Sequence, residues 1–135
     1  MPEAFRDAGY QTAMIGKWHL GHAQQTYHPN ERGYQHFYGH LHTEVGYFPP
    51  FAAQGGKDFQ ENGKSIEAEG YESFILAKEA KRWIEARDRA KPFFLYMPFI
   101  APHTPVPLTP PTLPTSHSRQ PPALHPPSTT TTTPI

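Results

Sequence analysis

Between residues 71 and 89 the positions Leu76, Ala80, Trp83, Ile84 and Arg87 recur at three- and four-residue steps, while Lys78, Glu79, Lys81, Arg82, Glu85 and Arg89 fall mostly on the other side. That spacing predicts an amphipathic helix, closed by Pro92. Directly after it, "PFFLYMPF" is a nearly continuous apolar and aromatic run of the kind carried by a strand buried on both faces. A second apolar run, "TAMIG", lies between Gly9 and Gly16. It suits a buried strand, although periodicity alone does not separate strand from helix at this length. Upstream, Pro2 to Ala8 reads as the end of a helix, with Ala4, Phe5 and Ala8 on one side and Gly9 as its stop. Residues 21–70 hold glycines, aromatics and histidines without a sustained period and read as long loops with at most short strands. Long loops on a compact scaffold are often functional.

A helix followed by a buried strand is half of a βαβ unit. With "TAMIG" as a strand of the same sheet, the chain is α/β. Residues just after each strand then lie at the carboxyl edge, where such sheets place their ligands. Those residues are Lys17 and His19 after the first strand, and Pro102, His103 and Pro105 after the second.

Composition changes this picture at the C-terminal end. Of the 135 residues, 17 are proline, twelve of them from Pro98 onward, and the segment after His103 carries one charged residue, Arg119. The stretch "TPPTLPTSHSRQPPALHPPSTTTTTPI", residues 109–135, has too few bulky apolar side chains to offset its ordering entropy. It is expected to be disordered or polyproline-like. Residues 1–108 are left as the foldable part, near the size at which a single core is only marginally stable.

Charge and cysteine content narrow the partners. Twelve basic and twelve acidic residues cancel, which removes the broad attraction that a nucleic-acid or anionic-membrane binder shows. No run is apolar and long enough to span a bilayer, and "MPEAFRDAGY" is unlike a secretory signal. The absence of cysteine excludes disulfides, thiolate metal sites and a cysteine nucleophile.

Several chemistries could use Gly16 and Lys17. A phosphate loop needs four residues between its glycines and Ser or Thr after the lysine; here six residues separate Gly9 from Gly16, and Trp18 follows Lys17. Six of the nine histidines fall between positions 19 and 42: His19, His22, His28, His36, His40 and His42. A zinc-protease helix would read His-Glu-x-x-His, whereas "HFYGH" from His36 to His40 lacks the glutamate and contains a glycine. No metal ligand is assigned, and most of these histidines read as solvated or hydrogen-bonded loop residues. Trp18 reads as a packing residue, and His22, Arg32 and His36 receive no role.

The whole string "AGYQTAMIGKWHLG" resembles the second signature of the sulfatases, which runs Gly, Tyr, any residue, Thr, a small apolar run and Gly-Lys-Trp-His-Leu-Gly. "RGYQHFYGHLH" from Arg32 resembles the family's Arg-Gly-Phe-Asp-x-Phe-Tyr-Gly segment. "NGKSIEAEGYESFILAKEAKRWIE" resembles its lead-in to a long helix, and "KPFFLYMPFIAPHTP" its later strand ending in Ala-Pro-His-x-Pro. Four segments in family order cover roughly residues 3–107. The resemblance implies an internal fragment of an arylsulfatase-like protein. Its fold would be a partial alkaline-phosphatase-like α/β/α sandwich with a disordered Pro/Thr-rich tail, acting on a sulfate-ester small molecule or glycan. A full-length parent would be extracytoplasmic: secreted, periplasmic or lysosomal.

Site roles follow from the resemblance residue by residue. Lys17 matches the family lysine that contacts both sulfate and a formylglycine hydrate nucleophile. His19 matches the histidine that helps to remove a proton from that nucleophile, and His103 the one that donates toward the sulfate and its leaving oxygen. The chemistry agrees with the residue types: compact cationic donors stabilise charge on sulfuryl oxygens, and histidine titrates near neutrality. Pro102 and Pro105 would restrict the His103 loop.

Two family elements are missing from the sequence. The formylglycine signature, Cys-or-Ser, x, Pro-or-Ala, x, Arg, is absent; the nearest string, "SHSRQ" at Ser116, has Ser118 and Gln120 at its third and fifth positions. The family's calcium ligands, an early Asp pair and a later Asp-Asn pair, have no counterpart either. The resemblance therefore implies Ca²⁺ and a formylglycine nucleophile that this chain does not supply. Two alternatives stand beside this reading: a non-catalytic truncated binding or interaction protein, and a phosphodiesterase or phosphonate hydrolase of the same superfamily.

Overall fold

The computed structural model describes residues 1–42, 46–48 and 57–104. The expected disordered tail at 109–135, the domain boundary at 108 and Pro105 lie outside the described residues. After a short helix α1 (Pro2–Asp7), with Pro2 at its first turn, come strand β1 (Gln11–Lys17), two 3₁₀ turns and β2 (His36–His40). Then follow β3 (Phe59–Glu61), β4 (Lys64–Ser65), the helix α2 (Glu72–Ala86) and β5 (Phe93–Tyr96). The sheet has five strands in the order β4-β3-β2-β1-β5. Its centre is parallel: β1 pairs with β2 through Ala13–His36 to Lys17–His40, and with β5 through Gln11–Phe93 to Met14–Tyr96. β3 and β4 add an antiparallel flank. The α/β expectation, with both apolar runs as neighbouring strands, is met.

Strand periodicity sorts the core into two layers. Met14, Trp18, Tyr34, Phe37 and Leu41 form one cluster, with Phe94 against it. Ile15, Phe59, Leu76 and Ala80 form the other, joined by Tyr38, Trp83, Leu95 and Met97. Because α2 covers the second layer and Phe5 stacks on Phe94 in the first, residues 12–16 of β1 are buried throughout. That burial on both faces explains why "TAMIG" is continuously apolar.

Three expectations change. "PFFLYMPF" is not buried on both faces: β5 is the outer strand of the sheet, and Phe93 and Tyr96 remain about 40% and 44% exposed. Its apolar run reflects partial cover on each face, by α1 at Phe94 and by α2 near Phe93 and Leu95. α2 ends at Ala86, before Pro92. An Asp88 turn intervenes, in which the Asp88 carboxylate accepts the Ala90 N–H, and the Gln11 side chain brackets Asp88 by donating to its carbonyl and accepting its N–H. Such a side-chain-to-backbone turn competes with helix continuation. Finally, "HFYGH" is the strand β2 at the centre of the sheet, so His36 and His40 are sheet residues rather than loop residues.

Candidate functional site at the carboxyl edge

The parallel strands β1, β2 and β5 all end at one edge, and the backbone crowds there. A Cβ on Gly16 would lie 2.2 Å from the Pro98 carbonyl oxygen, and one on Gly39 would lie 2.0 Å from the Gly16 oxygen. Both residues have positive φ, 138° and 147°, a region costly to side-chain-bearing residues. The two glycines are register partners, so they draw the three chains together just before Lys17 and His40. The Lys17 N–H donates to Pro98 O at 2.9 Å, the Trp18 N–H to His40 O at 2.9 Å and the His19 N–H to Leu41 O at 3.2 Å. The segment after β1 is thus stitched to both neighbouring strands.

Lys17 is half-buried at this edge. Among the described residues, no carboxylate lies within ion-pair distance of its ammonium. His19, exposed and in the left-handed region at φ 58°, leaves the sheet here. Trp18 between them turns inward and packs on Met14, Tyr34, Phe37 and Leu41, its indole N–H shared between Gly21 O and Tyr27 O at 3.0 and 2.9 Å. Its packing role is as expected. His103 lies on the loop after β5, where its N–H donates to Ile100 O at 2.7 Å. Its ring Nδ1 lies 2.7 Å from the carbonyl of Thr104. Donation from Nδ1 leaves Nε2 as the ring atom open to a ligand. Lys17, His19 and His103 therefore share one edge of the sheet.

Beneath them lies a set that sequence reasoning missed. His40 is completely buried; its Nε2 is 2.8 Å from Glu72 Oε1 and its Nδ1 is 2.6 Å from the carbonyl of His42. Glu72 opens α2, where helix amides favour a carboxylate, and its N–H donates to Tyr47 O at 2.7 Å. The Tyr47 hydroxyl donates to His103 O at 2.6 Å. A signal was available: Glu72 and Glu79 are seven residues apart on a helix, about 10 Å of rise. His36 and His40 are four apart on a strand, about 13 Å. An antiparallel helix over that strand brings both pairs into reach.

The second pair, at the other end of β2, joins His36 Nε2 to Glu79 Oε1 at 2.9 Å. With Glu61 these are the metal-capable trio among the described residues. The Arg82 guanidinium already bridges both carboxylates at 2.7 and 2.8 Å. A groove of about 710 Å³ along α2, lined by Tyr38, Ile75, Lys78, Glu79, Arg82 and Glu85, lies on this side and includes none of the edge residues. For Ca²⁺, which takes six or more oxygen ligands, the described edge does not fit. Glu72 is spent on His40, and Asp58 accepts the His42 N–H at 2.7 Å.

The family model for Sulfatase matches residues 1–130. The chain belongs to the sulfatase family. The arylsulfatase of Klebsiella aerogenes is 32% identical over 113 residues, covering 78% of this chain and 24% of that protein. The N-acetylglucosamine-6-O-sulfatase of Bacteroides thetaiotaomicron is 38% identical over 104 residues, covering 76% of this chain and 16% of that protein. The crystal structure of Ps i-CgsB in complex with k-i-k-neocarrahexaose superposes with a TM-score of 0.67 at 33% identity, over 77% of this chain and 26% of that one. The sulfatase-family chain described here thus spans about a quarter or less of the length of these relatives. Its sheet is part of the alkaline-phosphatase-like α/β architecture of that family, and among the described residues no helix is long and apolar enough to cross a membrane.

Proposed function

We propose that residues 1–108 carry the sulfate-binding section of a sulfuric ester hydrolase acting on a sulfate ester of a small molecule or glycan. One observation supports this above the rest: parallel strands β1 and β5 deliver Lys17 and His103 to the same edge, with the Lys17 backbone bonded to the β5 extension at Pro98. Lys17 supplies a compact positive charge to the sulfuryl oxygens, and His103, in the doubly protonated form with Nδ1–H held by the Thr104 carbonyl, donates from Nε2 toward the departing ester oxygen. His19 is exposed beside Lys17 and serves as a proton acceptor at that edge. The names of the relatives, an arylsulfatase and an N-acetylglucosamine-6-O-sulfatase, favour sulfate esters over other anions.

The 135-residue chain alone is catalytically incomplete in this account. It has no cysteine and no serine version of the formylglycine signature, and its described edge offers no calcium site. Members of a catalytic unit act non-additively, so donors alone leave only a residual effect. The test has two parts. A chromogenic aryl sulfate with added Ca²⁺ should show no turnover above a Lys17→Ala/His19→Ala double variant; turnover exceeding it by orders of magnitude would mean that a residue here serves as nucleophile. Inorganic sulfate, titrated into ¹⁵N-labelled chain, should shift the signals of Lys17 and His103. A response to phosphate but none to sulfate would favour the phosphodiesterase alternative, and no response to either would favour a non-catalytic role.

A further inference from the structure

The described donors at the carboxyl edge sit on two separate pieces of chain, and His103 is on the less supported one. Its loop leaves β5, the outermost strand, and residues 101–104 are all exposed. Among the described residues, Tyr47 hydrogen-bonds to this loop. Tyr47 is itself buried, with 5% exposure, and it is fixed at three points. Its carbonyl accepts the Glu72 N–H at 2.7 Å, its ring stacks on Tyr71 with centroids 5.5 Å apart, and its hydroxyl donates to the His103 carbonyl at 2.6 Å.

Glu72 in turn is tied to His40, the register partner of Lys17. Besides the Lys17–Pro98 backbone bond, a second connection from Lys17 to His103 runs through a continuous set of contacts: the β1–β2 ladder, the His40–Glu72 pair, the Glu72 amide and the Tyr47 side chain. Burial, with Tyr71 and Glu72 close by, holds the Tyr47 hydroxyl above the ordinary tyrosine range.

We infer that Tyr47 is a positioning residue, which sets the distance between His103 and Lys17 through its hydroxyl and is itself aligned by the buried His40–Glu72 pair. The assignment rests on the sulfate-binding reading of Lys17 and His103. Tyr47 does not touch the anion; it bonds the main chain of the residue that does. A free proline-flanked loop would have to be ordered on binding, and each binding event would lose the corresponding entropy. Anchoring the carbonyl of His103 beforehand removes that cost, while the ring Nδ1 contact to Thr104 fixes the rotation of the imidazole.

The experiment uses the full 135-residue chain, Tyr47→Phe and, as a control on the other histidine–glutamate pair, Tyr38→Phe. Three quantities are read: the melting temperature, the amide exchange rate of His103, and the affinity for inorganic sulfate followed at His103 and Lys17. Tyr47→Phe should remain folded, exchange the His103 amide several-fold faster and bind sulfate about fivefold more weakly, the factor that one neutral hydrogen bond is worth. Tyr38→Phe should change neither exchange nor affinity.

Unchanged His103 exchange and unchanged affinity in folded Tyr47→Phe would overturn the assignment. If wild type gives no sulfate response, the sulfate-binding reading fails, while faster His103 exchange in the variant would still establish the anchor. Should Tyr47→Phe not fold, the wild-type protein decides by itself: an NOE between the Tyr47 ring and His103 is expected, and its absence would remove the contact on which the inference stands.

Discussion

β2 and α2 are joined twice by the same two residue types, and the two joints are built on opposite terms. At the start of β2, His36 meets Glu79, and Arg82 bridges Glu79 to Glu61, so that each carboxylate has a cationic partner and Arg82 keeps 60% exposure. At the end of β2, His40 meets Glu72 with both side chains fully buried. Among the described residues no arginine pairs with Glu72, and its Oε2 has no hydrogen-bond partner. Both ring nitrogens of His40 contact oxygens, the His42 carbonyl and Glu72 Oε1. The arginine-bridged network, open to solvent at Arg82 and Glu61, ties helix to sheet. The buried pair is costly to assemble, and it lies at the carboxyl end of β2, beside the register partner of His40, Lys17.

The comparison predicts unequal costs of truncation. His40→Ala should lose about 3–5 kcal/mol, since it strands a buried carboxylate. In a chain this small that approaches the whole stability, so the variant should be largely unfolded by circular dichroism. His36→Ala should cost about 1 kcal/mol, because Arg82 continues to satisfy Glu79. Equal urea midpoints for the two variants would erase the distinction between the joints. Glu72→Gln falls between them: its amide can donate to His40 Nε2 and no charge is stranded, so its urea midpoint should lie closer to wild type than that of His40→Ala.

The smallest expected effect is on titration at high pH. Tyr38 is held above the ordinary tyrosine value of 10.0 chiefly by burial, then by Glu79 and Glu61, with Arg82 opposing. Tyr47 is held up by burial, Tyr71 and Glu72. A raised folded pKa means that the stabilising contribution is complete below the unfolded value and is lost as pH rises through the folded one. Stability should therefore decline above pH 10. Glu79→Gln should lower the Tyr38 pKa and leave Tyr47 alone, whereas Glu72→Gln should do the reverse, as read from tyrosine ring-carbon shifts. A variant that moves both tyrosines equally would show that the two joints are electrically one.

Much of this was legible in the sequence where periodicity or a long string carried it. α2 announced itself by its apolar steps, and β1 by a run buried on both sides. Lys17 and His19 at the end of β1 and His103 after β5 stand where the sequence predicts residues following strands, while their roles rest on resemblance to the sulfatase signatures. β2 was not legible as a strand, because "HFYGH" places a glycine and two histidines where β-branched residues would signal a strand. The charge of Glu79 predicts the solvent side of α2, yet it is buried, since His36 and Arg82 supply its partners. Tyr47 and Glu72 were invisible for a similar reason: each acts through a contact between residues distant in sequence, 32 positions for His40–Glu72 and 56 for Tyr47–His103, which no local pattern encodes. β5 misled in the other direction, its aromatic run describing a strand more enclosed than the one found.

The central claim is that Lys17 and His103 act on one anion. It is tested most directly by titrating inorganic sulfate into wild type, Lys17→Ala, His103→Ala and the double variant, with affinity taken from amide shifts at the carboxyl edge. The account predicts that Lys17→Ala weakens binding about tenfold and moves the His103 response to correspondingly higher sulfate, and that the double variant loses less than the sum of the two single losses, because both donors share one ligand. An unchanged dissociation constant in Lys17→Ala, with His103 still responding as in wild type, would contradict it.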